Sequence, residues 1–374
     1  MPGIRDKSKD RLQVVEPSSK RGKGRPRRSA KGSTERFCAS HRSELEITNR
    51  GSKKRHPSWG AKKLFARLER LHPGEGVPSR ATIGRLLKQN GLVAASNKGR
   101  RKPGPERSRP PWTEPRWCND VWAVDFKGWF RTGDGKKCYP LTVSDLYSRF
   151  ILGCDNKSSM ALEGLWLSFE ALFRQYGLPG AIRVDNGKPF GGGWVLGLTQ
   201  LSVWWRLLGI EVDFIDPGKP YQNGAHERMH LTLKKEIASP AAANLKAQQR
   251  RTRKWIKTFN EIRPHEALKM STPAEIYVSS KLKYQPVRAL EYGADFELRM
   301  VNSKGDIQWF NHRRFIGEAF KGQQLGLRSY DEQRHEVYLS DILLGHLPNT
   351  HFCAFRPTVE KRKNARTLAS ASPI

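Results

Sequence analysis

Acidic residues are scarce in this chain. In 374 residues, 36 Asp plus Glu stand against 68 Lys plus Arg, a formal charge of +32. A compact particle with that excess would repel itself unless the charge were spread over tails and matched to a polyanion, and DNA or RNA is the natural one. Cysteine is sparse too. Cys38, Cys118, Cys138, Cys154 and Cys353 are odd in number and form no Cys-x-x-Cys pair, which argues against a disulfide framework and a zinc finger alike. Cys38 and His41 lack a second pair to complement them and read as incidental. No apolar run reaches spanning length, and no hydrophobic segment follows the charged first residues, which argues against secretion and membrane insertion. The expectation is a reducing compartment that contains DNA, and no membrane partner.

What is present divides the chain unevenly. Residues 1–31 hold Lys20-Arg21-Gly22-Lys23-Gly24-Arg25-Pro26-Arg27-Arg28 and almost nothing apolar, so a disordered basic tail is expected, either an arm along phosphates or a solvated leader. Residues 32–95 read as a helical, helix-turn-helix-like segment. Trp59, Leu64, Leu68 and Leu71 can share one face; Pro78-Ser79 opens a second helix with Ile83, Leu86 and Leu87, and Gly91 closes it. Ser79 is its expected N-cap, and Arg80, Thr82 and Arg85 form a polar face suited to a major groove. Packing on neighbours alone is the plainer alternative. Residues 96–117 are basic and Pro-rich, an extended linker.

From residue 118 to 280 strands and helices mix. Val121 to Phe130 reads as a strand with Trp122, Val124 and Phe126 on one face and Ala123, Asp125 and Lys127 on the other. Strands over Tyr139–Val143 and Arg149–Gly153 follow, then Leu162, Leu165, Trp166, Phe169, Leu172, Phe173 and Tyr176 at helical spacing, ended by Gly177. Ala181–Val184 is a short buried strand that presents Asp185, so the acids stand at strand ends of an α/β layer. A helix over Leu201–Leu208 and a strand over Ile210–Phe214 lead to a helix carrying Glu227, with His230 and Lys234 at i+3 and i+7 expected to share its DNA-facing side. Three converging carboxylates would repel one another unless divalent cations sat between them. Asp125, Asp185 and Glu227 are therefore the candidate catalytic and metal-binding set, for two Mg²⁺ or Mn²⁺ ions. Asp145 is the competing acid and reads as structural. Beyond 281 the period becomes two, and short strands through residue 360 predict a small β-barrel, with Arg299, Arg313, Arg314 and Lys321 as further candidate DNA contacts. Residues 361–374 read as a tail.

The words around the acids resemble a known family. Val121-Trp122-Ala123-Val124-Asp125-Phe126, Val184-Asp185-Asn186-Gly187, Pro217 through Glu227, and Phe259-Asn260-Glu261-Ile262-Arg263-Pro264-His265-Glu266-Ala267-Leu268 are similar to the catalytic core of DDE-type transposases and retroviral integrases, in the insertion-sequence branch. The resemblance implies an RNase H-like mixed sheet, with an SH3-like carboxy-terminal barrel. It also implies two-metal cleavage and 3′-OH strand transfer of mobile-element ends, and a homo-oligomer on double-stranded DNA, both element ends and target, in a bacterial cytoplasm at the nucleoid. Lys127, Lys219, Asn223, His230, Lys234 and Lys235 are then expected near phosphates. The chain departs from the family at one point. Forty-one residues lie between Asp185 and Glu227, more than is usual in retroviral integrases, and the surplus is placed in a glycine-rich surface loop over Phe190–Leu198. Two other readings stand beside this one: a DNA-binding protein that acts by occupancy alone, and an RNase H-type nuclease acting on hybrids.

Overall fold

The computed structural model describes residues 51–53, 55–74, 76–93, 114–192, 194–216, 220–350 and 354–358. The expected basic tail, most of the linker, Cys38, His41, Lys219 and the carboxy-terminal tail lie outside them.

Five strands build the central sheet: β1 (Val121–Phe126), β3 (Lys137–Asp145), β4 (Ile151–Lys157), β5 (Ala181–Val184) and β6 (Glu211–Phe214), with a two-residue β2 (Phe130–Arg131) extending one edge. Their order across the sheet is β4-β3-β1-β5-β6. The first three run antiparallel, and β5 and β6 join β1 in parallel, which is the RNase H-like arrangement. The expected single strand to Phe130 is interrupted because Gly128 takes φ +76°, a turn conformation open to glycine.

Alternation along β1 divides the side chains between two layers. Trp122 and Val124 enter a core with Leu165, Phe169 and Phe173 of α3 (Leu162–Tyr176) and Trp205 of α4 (Gln200–Leu207). The expected stripe on α3 is therefore the buried one except at Trp166, which is 36% exposed, and Gly177 ends the helix at φ +80°. The opposite face of the sheet carries α5 (Gly224–Leu233), continued as a π turn to Ala238, and α6 (Leu245–Lys257). There Ile151 and Cys154 pack on Met229, Leu233, Ile237, Trp255 and Phe259.

The amino-terminal pair, α1 (Ala61–Leu71) and α2 (Arg80–Gln89), closes over Trp59, Leu64, Leu68, Ile83 and Leu87. Leu71 falls off that face and is 44% exposed. Ile262 packs on the same cluster, so the pair is seated on the core. Lys62 meets Glu266 at 3.3 Å and Arg70 meets Glu275 at 3.0 Å. Beneath them Glu236 accepts from Arg263 Nη1 at 2.8 Å and from Trp255 Nε1 at 2.7 Å. The Asn260 side chain accepts from Ile151 N and donates to Ile151 O, both at 2.9 Å. The Phe259–Leu268 segment thus both completes β4 and seats the helix pair.

The carboxy-terminal part is β-rich as expected. β7 (Glu297–Met300), β10 (Gln324–Asp331), β11 (Arg334–Leu339), β12 (Ile342–Pro348) and β13 (Arg356–Pro357) form an antiparallel sheet in the order β13-β12-β11-β10-β7, and β8 (Asp306–Trp309) pairs with β9 (His312–Phe315). Its core includes Val195, Leu198 and Val203 from before and within α4. This corrects the reading of Phe190–Leu198 as a surface loop. Phe190, Val195 and Leu198 are buried, because the segment provides apolar side chains to both cores, and Trp194 stacks on Phe315 at 5.8 Å.

Candidate active site

Each of the three acids sits where an element begins or ends. Asp125 is the penultimate residue of β1, opposite Thr142 of β3. Asp185 follows the last residue of β5, and its Oδ1 accepts from Gly187 N at 3.2 Å. Glu227 lies in the first turn of α5, where a carboxylate interacts favourably with the exposed amides of the helix start. Asp185 and Glu227 are exposed and Asp125 is half-buried. Gly191 lets the chain turn closely beneath Asp185: a Cβ there would stand 2.8 Å from the Phe214 ring and 3.0 Å from the Asp185 carbonyl oxygen.

Burial, then the charge of Asp185 and more weakly that of Glu227, push the Asp125 carboxyl up to about 7. Lys127 and a backbone hydrogen bond act in the opposite sense. Asp185 and Glu227 are therefore each close enough to Asp125 to act on its carboxyl. Among the described residues, however, no three His, Cys, Asp or Glu side chains already converge tightly enough to hold an ion. The donor set itself suits a hard divalent cation, since it is all oxygen and carries the mutual repulsion that a cation relieves.

Other expected site residues divide. Lys127 directly follows β1 and donates its backbone N–H to Pro140 O at 3.0 Å. Lys234 and Lys235 are exposed, as are Arg80 and Arg85 on α2. Ser79 caps α2 as expected, accepting from Thr82 N at 3.2 Å. Thr82 is partly covered, and Arg80 lies 5.3 Å from the Phe65 ring. Three residues differ from expectation, one of them Arg314 of β9, which is buried and donates from Nη2 to Thr350 O at 2.8 Å. Asn223 is buried, and its Oδ1 has no hydrogen-bond partner among the described residues. His230 is also buried, because the covered stripe of α5 is His226, Met229, His230 and Leu233, whereas Glu227, Leu231 and Lys234 share the exposed side.

Asp145 is structural, as expected. Its Oδ1 accepts from Asn119 N at 2.8 Å, and its Oδ2 from Ser148 N at 2.7 Å and Ser148 Oγ at 2.5 Å. Sequence reading overlooked Arg183. Its guanidinium is buried on β5, paired with Asp213 at 2.8 Å, and donates to Gln222 O at 3.3 Å. Gln222 in turn accepts from Asp216 N at 2.8 Å, so Arg183 fixes the approach to the Glu227 helix. An arginine in an otherwise apolar four-residue strand was the available signal, since burying a guanidinium is costly without a partner.

Two integrase core domain family models match the chain, over residues 116–220 and 208–273. Among curated relatives, an uncharacterized 31.7 kDa protein of insertion element IS407 from Burkholderia multivorans is 28% identical over 221 residues, 58% of this chain and 74% of that protein. An uncharacterized 39.2 kDa protein of insertion element IS476 from Xanthomonas euvesicatoria is 27% identical over 223 residues, 59% of this chain and 60% of that protein. Among solved structures, the catalytic core of HTLV-2 integrase aligns with 16% identity and a TM-score of 0.35, over 44% of this chain and all of that one.

Proposed function

Since the chain belongs to the superfamily of insertion-element transposases and integrases, we propose that it cleaves the ends of a mobile element and joins the freed 3′-hydroxyls to target DNA. The observation that carries this reading is the placement of the acids, Asp125 near the end of β1, Asp185 just past the adjacent parallel β5 and Glu227 in the first turn of α5, with Asp185 and Glu227 both raising the Asp125 carboxyl. A protein has little use for such mutual repulsion unless a cation relieves it.

Asp125, Asp185 and Glu227 are the residues that would hold two Mg²⁺ or Mn²⁺ ions. When bound, the ions would supply charge stabilisation to both the attacking and the leaving oxygen of an in-line displacement. The chain's own residues do the rest. Asp125 would release its proton to solvent on ion binding. Lys127, just after β1, and Lys234 and Lys235, in the π turn after α5, neutralise phosphates on either side of the scissile bond, a contribution that weakens steeply with salt. Arg80, Thr82 and Arg85 on α2 contact double-stranded DNA away from the reaction centre. In the joining step the terminal 3′-oxygen forms a bond to a target phosphorus, that phosphorus releases its own 3′-oxygen, and a proton passes from the attacking hydroxyl to the leaving oxygen through solvent. Phosphodiester number is conserved, so no protein-bound intermediate or external energy source is required. The protein works as a homo-oligomer, because two ends must be held together for joining.

The test is incubation of the full chain with labelled element ends and Mg²⁺ or Mn²⁺. Wild type is expected to give joined products, and Asp185→Asn and Glu227→Gln to give none while binding the same DNA. Joined products at wild-type level from both variants would refute the assignment. Cleavage of an RNA–DNA hybrid in place of joining would favour a hybrid nuclease.

A further inference from the structure

Residues 226 to 230 read His-Glu-Arg-Met-His, the spacing that on a helix can set two imidazoles toward one zinc ion. Here the two imidazoles meet a hydroxyl instead. His226 Nε2 lies 2.8 Å and His230 Nε2 lies 2.6 Å from Thr142 Oγ1. The same hydroxyl donates to the backbone carbonyl of Asp125 at 2.8 Å. Beyond it, His226 Nδ1 lies 2.8 Å from Ser144 Oγ, and His230 Nδ1 lies 3.6 Å from Asp125 Oδ2. His226, His230, Thr142 and Ser144 are all buried.

Counting protons settles the direction of each bond. A threonine hydroxyl has one proton and two lone pairs. The carbonyl of Asp125 can only accept, so it takes that proton, and both imidazoles must donate from Nε2. His226 Nδ1 is then an acceptor and Ser144 Oγ its donor. His230 Nδ1 is left unprotonated toward the Asp125 carboxyl. Every group in the network except that last has a matched partner, and one tautomer of each histidine is selected.

We propose that Thr142, with His226 and His230, is a latch that fixes the helix carrying Glu227 against the strand carrying Asp125, and so sets the relation between two of the three acids before any cation arrives. The histidines flank Glu227 by one residue and by three. Both bond to the residue opposite Asp125 in the ladder. A slip of α5 by one residue would replace both imidazoles at Thr142 and turn Glu227 off its exposed side. The latch residues are positioning residues: His226 and Thr142 touch neither acid's carboxylate, and they act through backbone and helix placement. This inference rests on the reading of Asp125 and Glu227 as partners at one site.

The test uses the full chain and Mn²⁺, followed by electron paramagnetic resonance of the free ion. Thr142→Val keeps the shape and removes the hydroxyl, and it is expected to weaken Mn²⁺ binding by about tenfold or more, as loss of a supporting bond behind a ligand typically does. Thr142→Ser restores the hydroxyl and is expected to restore affinity. DNA binding without metal, read by fluorescence anisotropy, is expected to be unchanged in both. If Thr142→Val does not fold, nitrogen-15 shifts of the imidazoles in the metal-free wild type decide the matter. Both histidines are expected as Nε2–H tautomers. An Nδ1–H tautomer at either, or a Thr142→Val variant that binds Mn²⁺ like wild type, overturns the latch. Failure of the wild type to join DNA ends while the Mn²⁺ difference holds would refute the proposed function and leave the latch standing.

Discussion

The two sides of the acid cluster are built differently. On the Asp125 side the carboxylate is half-buried on a central strand, with paired neighbours and a buried hydrogen-bond network behind it. On the other side Asp185 and Glu227 stand exposed, one just past a strand and one in the first turn of a helix. The difference suggests a division of labour. A strand between two others cannot shift without breaking its ladders, so Asp125 serves as the fixed reference. The exposed acids have no strand ladder to hold them, which fits an arrangement in which both act on the Asp125 carboxyl while the three do not yet converge on one point.

The largest expected effect breaks the exposed side. Under the proposed function Asp185→Asn or Glu227→Gln removes a cation ligand, and joining is expected to fall by about 10³-fold or more, measured on labelled ends with circular dichroism unchanged. A substitution beneath the rigid side should act on stability instead. Phe169→Ala empties the core under β1 and is expected to cost about 3–5 kcal/mol in denaturant unfolding.

Protonation separates the two sides next. Asp125 has its folded-state carboxyl at about 7, against 3.8 as its ordinary value. Between those values the folded, metal-free protein holds a proton that the unfolded chain has released, so this group's contribution to stability declines as pH rises through the window. Asp125→Asn is expected to remove that decline, seen as the difference between the two proteins' Tm against pH. Cation binding must expel the same proton, so Mn²⁺ affinity is expected to fall about tenfold per unit as pH drops below about 7.

The smallest effects lie far from the acids. Ser79→Ala removes the cap of α2 and is expected to cost about 1 kcal/mol in thermal unfolding. Arg85→Ala should weaken DNA binding, measured by fluorescence anisotropy as a loss of affinity and of sequence preference.

Much of this was legible from the residues, for physical reasons that can be named. The α3 stripe and the Ala181–Val184 strand were plain because burial is periodic and their apolar residues follow the period. Ser79 and Gly177 were plain because a cap and a left-handed stop each demand a narrow set of residue types. The inner face of α5 was hidden because two of its buried positions are histidines. Polar type suggested solvent, and only the hydroxyls of Thr142 and Ser144, distant in sequence, make burial tolerable. The Phe190–Leu198 segment was misread for the converse reason. Its apolar residues follow neither period, since they serve two different cores, and its glycines suggested a loop at the surface.

Anomalous diffraction from crystals of the full chain soaked in Mn²⁺ tests the central claim most directly. Two peaks about 3.5–4 Å apart are expected, bounded by the carboxylates of Asp125, Asp185 and Glu227. Ordered Mn²⁺ bound elsewhere, with those three carboxylates fully occupied by protein hydrogen bonds, would contradict it.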